Sequence, residues 1–122
     1  MTPRIIPVDL FDVVVFGATG DLSQRKLLPA LFHRDVQGQI PPGARVIGAS
    51  RRAMSNAEFR AFAKAAIDAH VAEAERSEDA VNRFLERVSY VTVDASRNED
   101  WDDLGAALAG GGDRIRVFYM AV

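Results

Sequence analysis

Residues 12–22 constrain the fold most tightly. A valine-rich run, Asp12 to Phe16 (DVVVF), passes without a spacer into Gly17-Ala18-Thr19-Gly20-Asp21-Leu22. Continuous β-branched runs suit strands covered on both faces, as in parallel sheets. A plain turn out of such a strand needs one glycine. A second glycine, three residues on, points to backbone that a ligand approaches closely. Strand, glycine loop and helix in that order form the arrangement that cradles phosphate. The helix N-terminus supplies unpaired amides and the positive end of its dipole. Gly17 would make the turn, Gly20 would admit the phosphate, and Thr19 offers a hydroxyl. Asp21 would repel a phosphate, so it is read as a helix-start residue that bonds backbone amides. The G-x-G-x-x-G pattern itself is absent: Thr19 holds the third position, and Leu22 and Ser23 stand where another glycine is expected. The candidate loop is therefore Gly17, Ala18, Thr19, Gly20, Asp21 and Leu22.

Helical and strand patterns alternate along the rest of the chain. A helical stretch runs from Asp21 to about Gln37 and stops at Gly38 and Pro41-Pro42. Pro29 lies inside it and predicts a break near Leu28, with Pro29 opening a second helical piece. Arg45 to Ser50 (RVIGAS) is the second strand. Ser55 and Glu58 form a capping box for a helix that buries Phe59, Phe62, Ala66, Ile67, His70 and Val71. Glu78 to Arg87 is helical, with Val81, Phe84, Leu85 and Val88 on its stripe. Ser89 to Val93 is the third strand. Ser96 and Glu99 can cap a further helix that buries Trp101, Leu104 and Leu108 and ends at Gly110-Gly111-Gly112. Arg116 to Val122 is the fourth strand. The expected fold class is α/β: a Rossmann-like, doubly wound parallel sheet, its first four strands in the order 3-2-1-4. A complete mononucleotide-binding fold would continue past the fourth strand, so the sheet is expected to be incomplete at its C-terminal end.

In dinucleotide folds the end of the second strand meets the adenine ribose. An acid there binds the 2′-hydroxyl of NAD, and an arginine accepts the 2′-phosphate of NADP. This chain has Ala49-Ser50-Arg51-Arg52 and no acid before Glu58. Arg51 can make a forked pair with a phosphate, with Ser50 and Arg52 beside it. The alternative is a solvated loop carrying two surface arginines. Asp94-Ala95 ends the third strand, where adenine is expected, although an aspartate there also suits a plain turn. Tyr119, Met120 and Ala121 would lie across the switch point, near the middle of a bound dinucleotide.

Composition narrows the classes. A net charge of −2 over 122 residues leaves no general basic footprint for nucleic acid or a membrane surface. The absence of cysteine excludes disulfides and thiolate metal sites. No apolar run is long enough for a transmembrane helix, and Met1 to Asp9 carry no signal-peptide core. A soluble, cytoplasmic protein without a metal is the expectation.

The stretch FGATGDLSQRKLLPALF, Phe16 to Phe32, closely resembles the opening of glucose-6-phosphate dehydrogenases. Gly17, Thr19, Gly20, Asp21, Leu22, Lys26 and Pro29 match that family's loop, basic cluster and helical proline. VIGASRR resembles its second strand, with the NADP-phosphate arginine falling on Arg51. SYVTVDAS and VFYMAV fit its third and fourth strands. The resemblance implies oxidation of the C1 hydroxyl of glucose 6-phosphate to 6-phosphogluconolactone. Hydride passes to NADP, with NAD a weaker coenzyme, at the entry to the pentose phosphate pathway. It places Lys26 near the active cleft, within reach of the substrate phosphate. The family's histidine base, its aspartate partner and its Glu-Lys-Pro-Phe-Gly lysine all lie beyond the fourth strand. No catalytic residue is therefore expected within this chain, and His33 and His70 are structural or surface residues. The resemblance divides the chain into an N-terminal extension, 1–10, and a partial NAD(P)-binding Rossmann domain, 11–122, without the substrate domain. It implies that the 122 residues alone are inactive, and that homo-oligomers belong to the full-length enzyme.

Two other readings remain open in the sequence. Gly-Ala-Thr-Gly also opens short-chain-type reductases and epimerases, but these carry another glycine near position 23 and a Tyr-x-x-x-Lys pair. Here Ser23 stands at that position, and Tyr90 is followed four residues on by Asp94. A non-catalytic NADP-binding module acting through a partner is the third reading.

Overall fold

The computed structural model describes residues 11–41, 43–94, 101, 102, 104–106 and 115–121. Four parallel strands, β1 (Phe11–Phe16), β2 (Arg45–Ser50), β3 (Val88–Thr92) and β4 (Ile115–Met120), form one sheet in the order β3-β2-β1-β4. Among the described residues, the bounded α-helices are α1 (Leu28–Val36), α2 (Asn56–His70) and α3 (Glu78–Glu86), and residues 101, 102 and 104–106 are also helical. The expected strand order is thus the observed one.

The valine run is central because both faces of β1 are covered. Val13 and Val15 point with Val46 into a core closed by Phe32, Phe59, Ile67 and Phe84 from the three helices. Val14 points the other way, into a smaller cluster with Ile47, Ala49, Val93 and Leu104. Alternation along a strand sends successive side chains to opposite faces, so two apolar faces require an unbroken apolar run. Asp12 is the polar exception. It is fully buried and accepts two hydrogen bonds from Arg45, 2.9 Å from Nε and 2.6 Å from Nη2. The pair joins register partners of β1 and β2 at the end of the sheet opposite the glycine loop.

The helix after β1 corrects the expected break at Leu28. Residues 21–36 are helical without interruption, and Ser23–Leu27 form a π-helical turn in which the Leu28 amide bonds the Ser23 carbonyl. Pro29 then sits in the first turn of α1. Proline has no amide hydrogen and its ring crowds the carbonyl four residues back. The wider turn relieves that crowding while the axis continues, which keeps Leu28, Leu31 and Phe32 in the core.

Helix α2 starts with the expected capping box: Ser55 Oγ accepts from the Glu58 amide at 3.1 Å, and Glu58 accepts from the Ser55 amide at 3.0 Å. Phe59, Ala63, Ala66 and Ile67 face the core, and Phe62 is half-buried. His70, expected on this face, is exposed. On α3, Val81 and Phe84 are buried and Leu85 is half-buried, whereas Val88 already belongs to β3. The hydrogen bond from the Ser55 backbone, then that with its side chain, hold the Glu58 carboxyl below its ordinary range. A depressed carboxyl stabilises the fold above its unfolded value, near pH 4.3, and that contribution vanishes as pH falls through the folded value. Glu58→Gln should therefore lower the urea midpoint at pH 7, and the gap to wild type should close by pH 2. A gap that persists at pH 2 would contradict the assignment.

Trp101 and Leu104, expected together inside the core, part company. Leu104 is buried, but Trp101 is 43% exposed and tilts against Phe16, with ring centroids 5.9 Å apart. The Ser96–Glu99 capping box, Leu108 and the triple glycine lie outside the described residues, as do residues 1–10 and Ala95.

Candidate functional site

All four strands point their C-terminal ends at one cleft of about 860 Å³. Phe16, Gly17, Thr19 and Gly20 line it from the end of β1, and Ala49, Ser50, Arg51 and Arg52 from the end of β2. Val93 and Asp94 follow β3, Trp101 comes from the next helical segment, and Met120 and Ala121 close the β4 side. The chain leaves β1 toward β2 on one side, while β4 pairs with β1 on the other. The cleft thus sits at the switch point of the sheet, where open α/β folds bind ligands.

Backbone geometry explains the glycines. Gly17 has φ +74°, a left-handed conformation that side chains with a Cβ resist. Its amide and that of Ala18 both bond the Ala49 carbonyl, at 2.9 and 3.3 Å, which ties the loop to β2. The Gly20 amide bonds the Gly17 carbonyl at 2.9 Å. A Cβ on Gly20 would stand 3.2 Å from the Gly17 carbonyl oxygen and 3.7 Å from that of Ala121. The Thr19 amide has no partner among the described residues. That amide and those of the first helical turn remain to meet an anion.

Not every candidate loop residue reaches the cleft. Ala18 is fully buried beneath the loop. Asp21 is exposed and pairs with Arg25 at 2.6 Å, and Leu22 is exposed. Lys26 lies exposed on the π turn. None of these four lines the cleft. A further glycine role is invisible in the sequence. A Cβ on Gly48 would fall 2.5 Å from the Phe59 ring and 3.0 Å from Ala18 Cβ. Gly48 thus lets α2, through Phe59, pack closely on β2 beside the loop residue Ala18.

At the β2 end the polar groups divide into engaged and free. Ser50 Oγ lies 3.1 Å from Thr19 Oγ1 and 2.6 Å from Tyr90 Oη, and accepts from the Arg52 amide at 3.3 Å. The Arg52 guanidinium makes no hydrogen bond or ion pair among the described residues. Arg51, the residue immediately after β2, is exposed, and its guanidinium has no hydrogen bond or ion pair among the described residues. It is an uncommitted cation lining the same cleft as the glycine loop. His33 stands 3.8 Å from Glu75, far along the chain from the cleft, and neither histidine lines it. Among the described residues no group of acids and histidines could hold a metal ion, and no helix is long and apolar enough to cross a membrane.

Phe16, Ala49, Val93 and Trp101 also line the cleft, although the sequence did not single them out for it. Three of them adjoin residues already singled out, so the strand ends carried the signal. Trp101 gave none, because a helical stripe alone does not distinguish a core position from one above the strand ends.

A family model described as "Glucose-6-phosphate dehydrogenase, NAD binding domain" matches residues 14–122. The chain belongs to the glucose-6-phosphate dehydrogenase family. It is 51% identical over 122 residues to the glucose-6-phosphate 1-dehydrogenase of Rhizobium meliloti (strain 1021), covering 100% of this chain and 25% of that protein. It is 42% identical over 119 residues to that of Mycolicibacterium smegmatis (strain ATCC 700084 / mc(2)155), covering 94% of this chain and 24% of that protein. A solved glucose-6-phosphate dehydrogenase in complex with its substrate glucose-6-phosphate superposes with a TM-score of 0.80 at 28% identity, covering 96% of this chain and 26% of that one. The chain thus spans about a quarter of the length of the dehydrogenases it matches. Membership of this family displaces the short-chain reductase reading.

Proposed function

We propose that this chain is the coenzyme-binding part of an NADP-dependent glucose-6-phosphate dehydrogenase, and that the cleft at the strand ends holds NADP. The observation that carries the reading is the uncommitted Arg51 guanidinium just after β2, which lines the same cleft as Gly17 and Gly20 of the glycine loop. In this reading Gly17 and Gly20 admit the pyrophosphate, and the Thr19 amide and the first helical turn bond it. Arg51 takes the 2′-phosphate, with Arg52 beside it. Val93, Asp94 and Trp101 border adenine, and Met120 and Ala121 face the nicotinamide half. NAD, lacking the 2′-phosphate, binds more weakly.

The cleft residues would hold NADP, and the chemistry it would supply there is acceptance of a hydride from C1 of glucose 6-phosphate. Apart from Lys26, the residues of this chain bind and orient the coenzyme. We assign the base and the substrate domain to the remaining three quarters of a full-length enzyme, with Lys26 turned toward the substrate phosphate. A cytoplasmic homo-oligomer is the expected form of that enzyme.

Calorimetric titration of the 122-residue chain with NADP and with NAD tests the reading. The single tryptophan, Trp101, lines the cleft, so its fluorescence gives an independent signal. The expected result is saturable NADP binding, tighter than NAD, with a change in Trp101 emission. Equal affinity for the two coenzymes, or no binding of either, would contradict it.

A further inference from the structure

Arg51 is exposed, and a flexible side chain on a loose loop makes a poor selector. The structure contains a device that holds its backbone. Tyr90, in the middle of β3, is buried, and its ring packs on Phe59 with centroids 5.0 Å apart. Its hydroxyl meets Ser50 Oγ at 2.6 Å, the Ser50 carbonyl at 3.2 Å and the Arg52 carbonyl. Carbonyls only accept, so the phenol proton goes to a carbonyl, and we take it to be that of Arg52. Its oxygen then accepts from Ser50 Oγ. The Ser50 oxygen in turn accepts from the Arg52 amide at 3.3 Å and from the Thr19 hydroxyl at 3.1 Å. The hydrogen bonds thus form a closed ring: Arg52 amide, Ser50 hydroxyl, Tyr90 hydroxyl, Arg52 carbonyl. Ser50 and Arg52 are both held, and Arg51 is the single residue between them. Through Thr19 the same ring reaches the glycine loop.

We propose that Tyr90 is a positioning residue for coenzyme selection: its hydroxyl closes a ring of hydrogen bonds that fixes the backbone on either side of Arg51 and aims Arg51 at the 2′-phosphate. The inference rests on the NADP reading above. Preorganisation of this kind raises affinity by removing the ordering cost of the loop at the moment of binding. Its main effect falls on the ligand group that Arg51 meets, because Arg51 lies between the two held residues, whereas the glycine loop is reached only through the single Thr19–Ser50 contact.

The test is Tyr90→Phe in the same chain, which keeps the ring on Phe59 and removes the hydroxyl. Dissociation constants for NADP and NAD are measured for wild type, Tyr90→Phe, Arg51→Ala and the double variant, with urea midpoints as a check on folding. The expected result is a loss of NADP affinity of roughly 3- to 10-fold in Tyr90→Phe, the scale of one ordinary hydrogen bond, with NAD nearly unchanged. In the Arg51→Ala background the same change should leave the NADP-to-NAD ratio where it is. A merely structural role would weaken both coenzymes alike and would act equally in both backgrounds. Amide hydrogen exchange in the coenzyme-free chain gives a second readout, with faster exchange expected at Arg52 in Tyr90→Phe. An unchanged or raised NADP preference in Tyr90→Phe, or unchanged exchange at Arg52, would overturn the proposal. If wild type itself shows no NADP preference, the coenzyme reading fails first; if wild type prefers NADP and Tyr90→Phe keeps that preference, only the role of Tyr90 fails.

Discussion

Arg51→Ala should weaken NADP binding by roughly 10- to 100-fold and leave NAD within about two-fold. The effect is electrostatic and local. A forked, charge-assisted arginine–phosphate contact contributes roughly 1.5–3 kcal/mol, and each 1.4 kcal/mol is about a factor of ten in affinity. Arg51 has no partner to give up among the described residues, so its full reach is available to the ligand. Arg52 stands next to it and compensates in part. Partial compensation sets the low end of the range. Dissociation constants for both coenzymes at one salt concentration decide the matter, because salt screens a phosphate contact at an exposed site. Equal losses for NADP and NAD would mean that Arg51 supports the loop or the general charge and does not read the 2′-phosphate.

Gly20→Val should have the opposite signature, a loss of about ten-fold or more for both coenzymes with their ratio unchanged. The first added carbon already stands 3.2 Å from the Gly17 carbonyl oxygen. The crowded backbone must shift, and the pyrophosphate placed against this loop is common to both coenzymes. Overfilling a packed site costs about 1–3 kcal/mol, which brackets the expected loss. The fold is a separate readout: Gly20 belongs to neither apolar cluster, so the urea midpoint should fall by less than binding does. Retained affinity for NADP and NAD in a folded Gly20→Val chain would move the pyrophosphate off this loop. The two substitutions together separate the phosphate that distinguishes the coenzymes from the phosphates they share.

The strands were legible in the sequence because burial on both faces demands continuous apolar runs. Arg45 to Ser50 was bounded without error, and β1, β3 and β4 shift by only one or two residues at their ends. The Ser55–Glu58 box was legible because its two hydrogen bonds are local and need only a three-residue spacing. Pro29 was half legible. A broken helix and a π turn both vacate the hydrogen bond that proline cannot make, and only the packing of Leu28, Leu31 and Phe32 decides between them. The position of Arg51 was legible from its place after the second strand. The ring that holds it was not. Tyr90 and Ser50 are 40 residues apart, and alternation along β3 tells which face Tyr90 takes but not what its hydroxyl meets. Gly48 was silent for the same reason, since the Phe59 ring it accommodates comes from another element.

Crystals of the 122-residue chain grown with NADP test the central claim most directly. The expected result is a 2′-phosphate within hydrogen-bond distance of the Arg51 guanidinium, and a pyrophosphate against Gly20 and the Thr19 amide. NADP bound with its 2′-phosphate away from Arg51, or its pyrophosphate away from the Gly17–Gly20 loop, would contradict it.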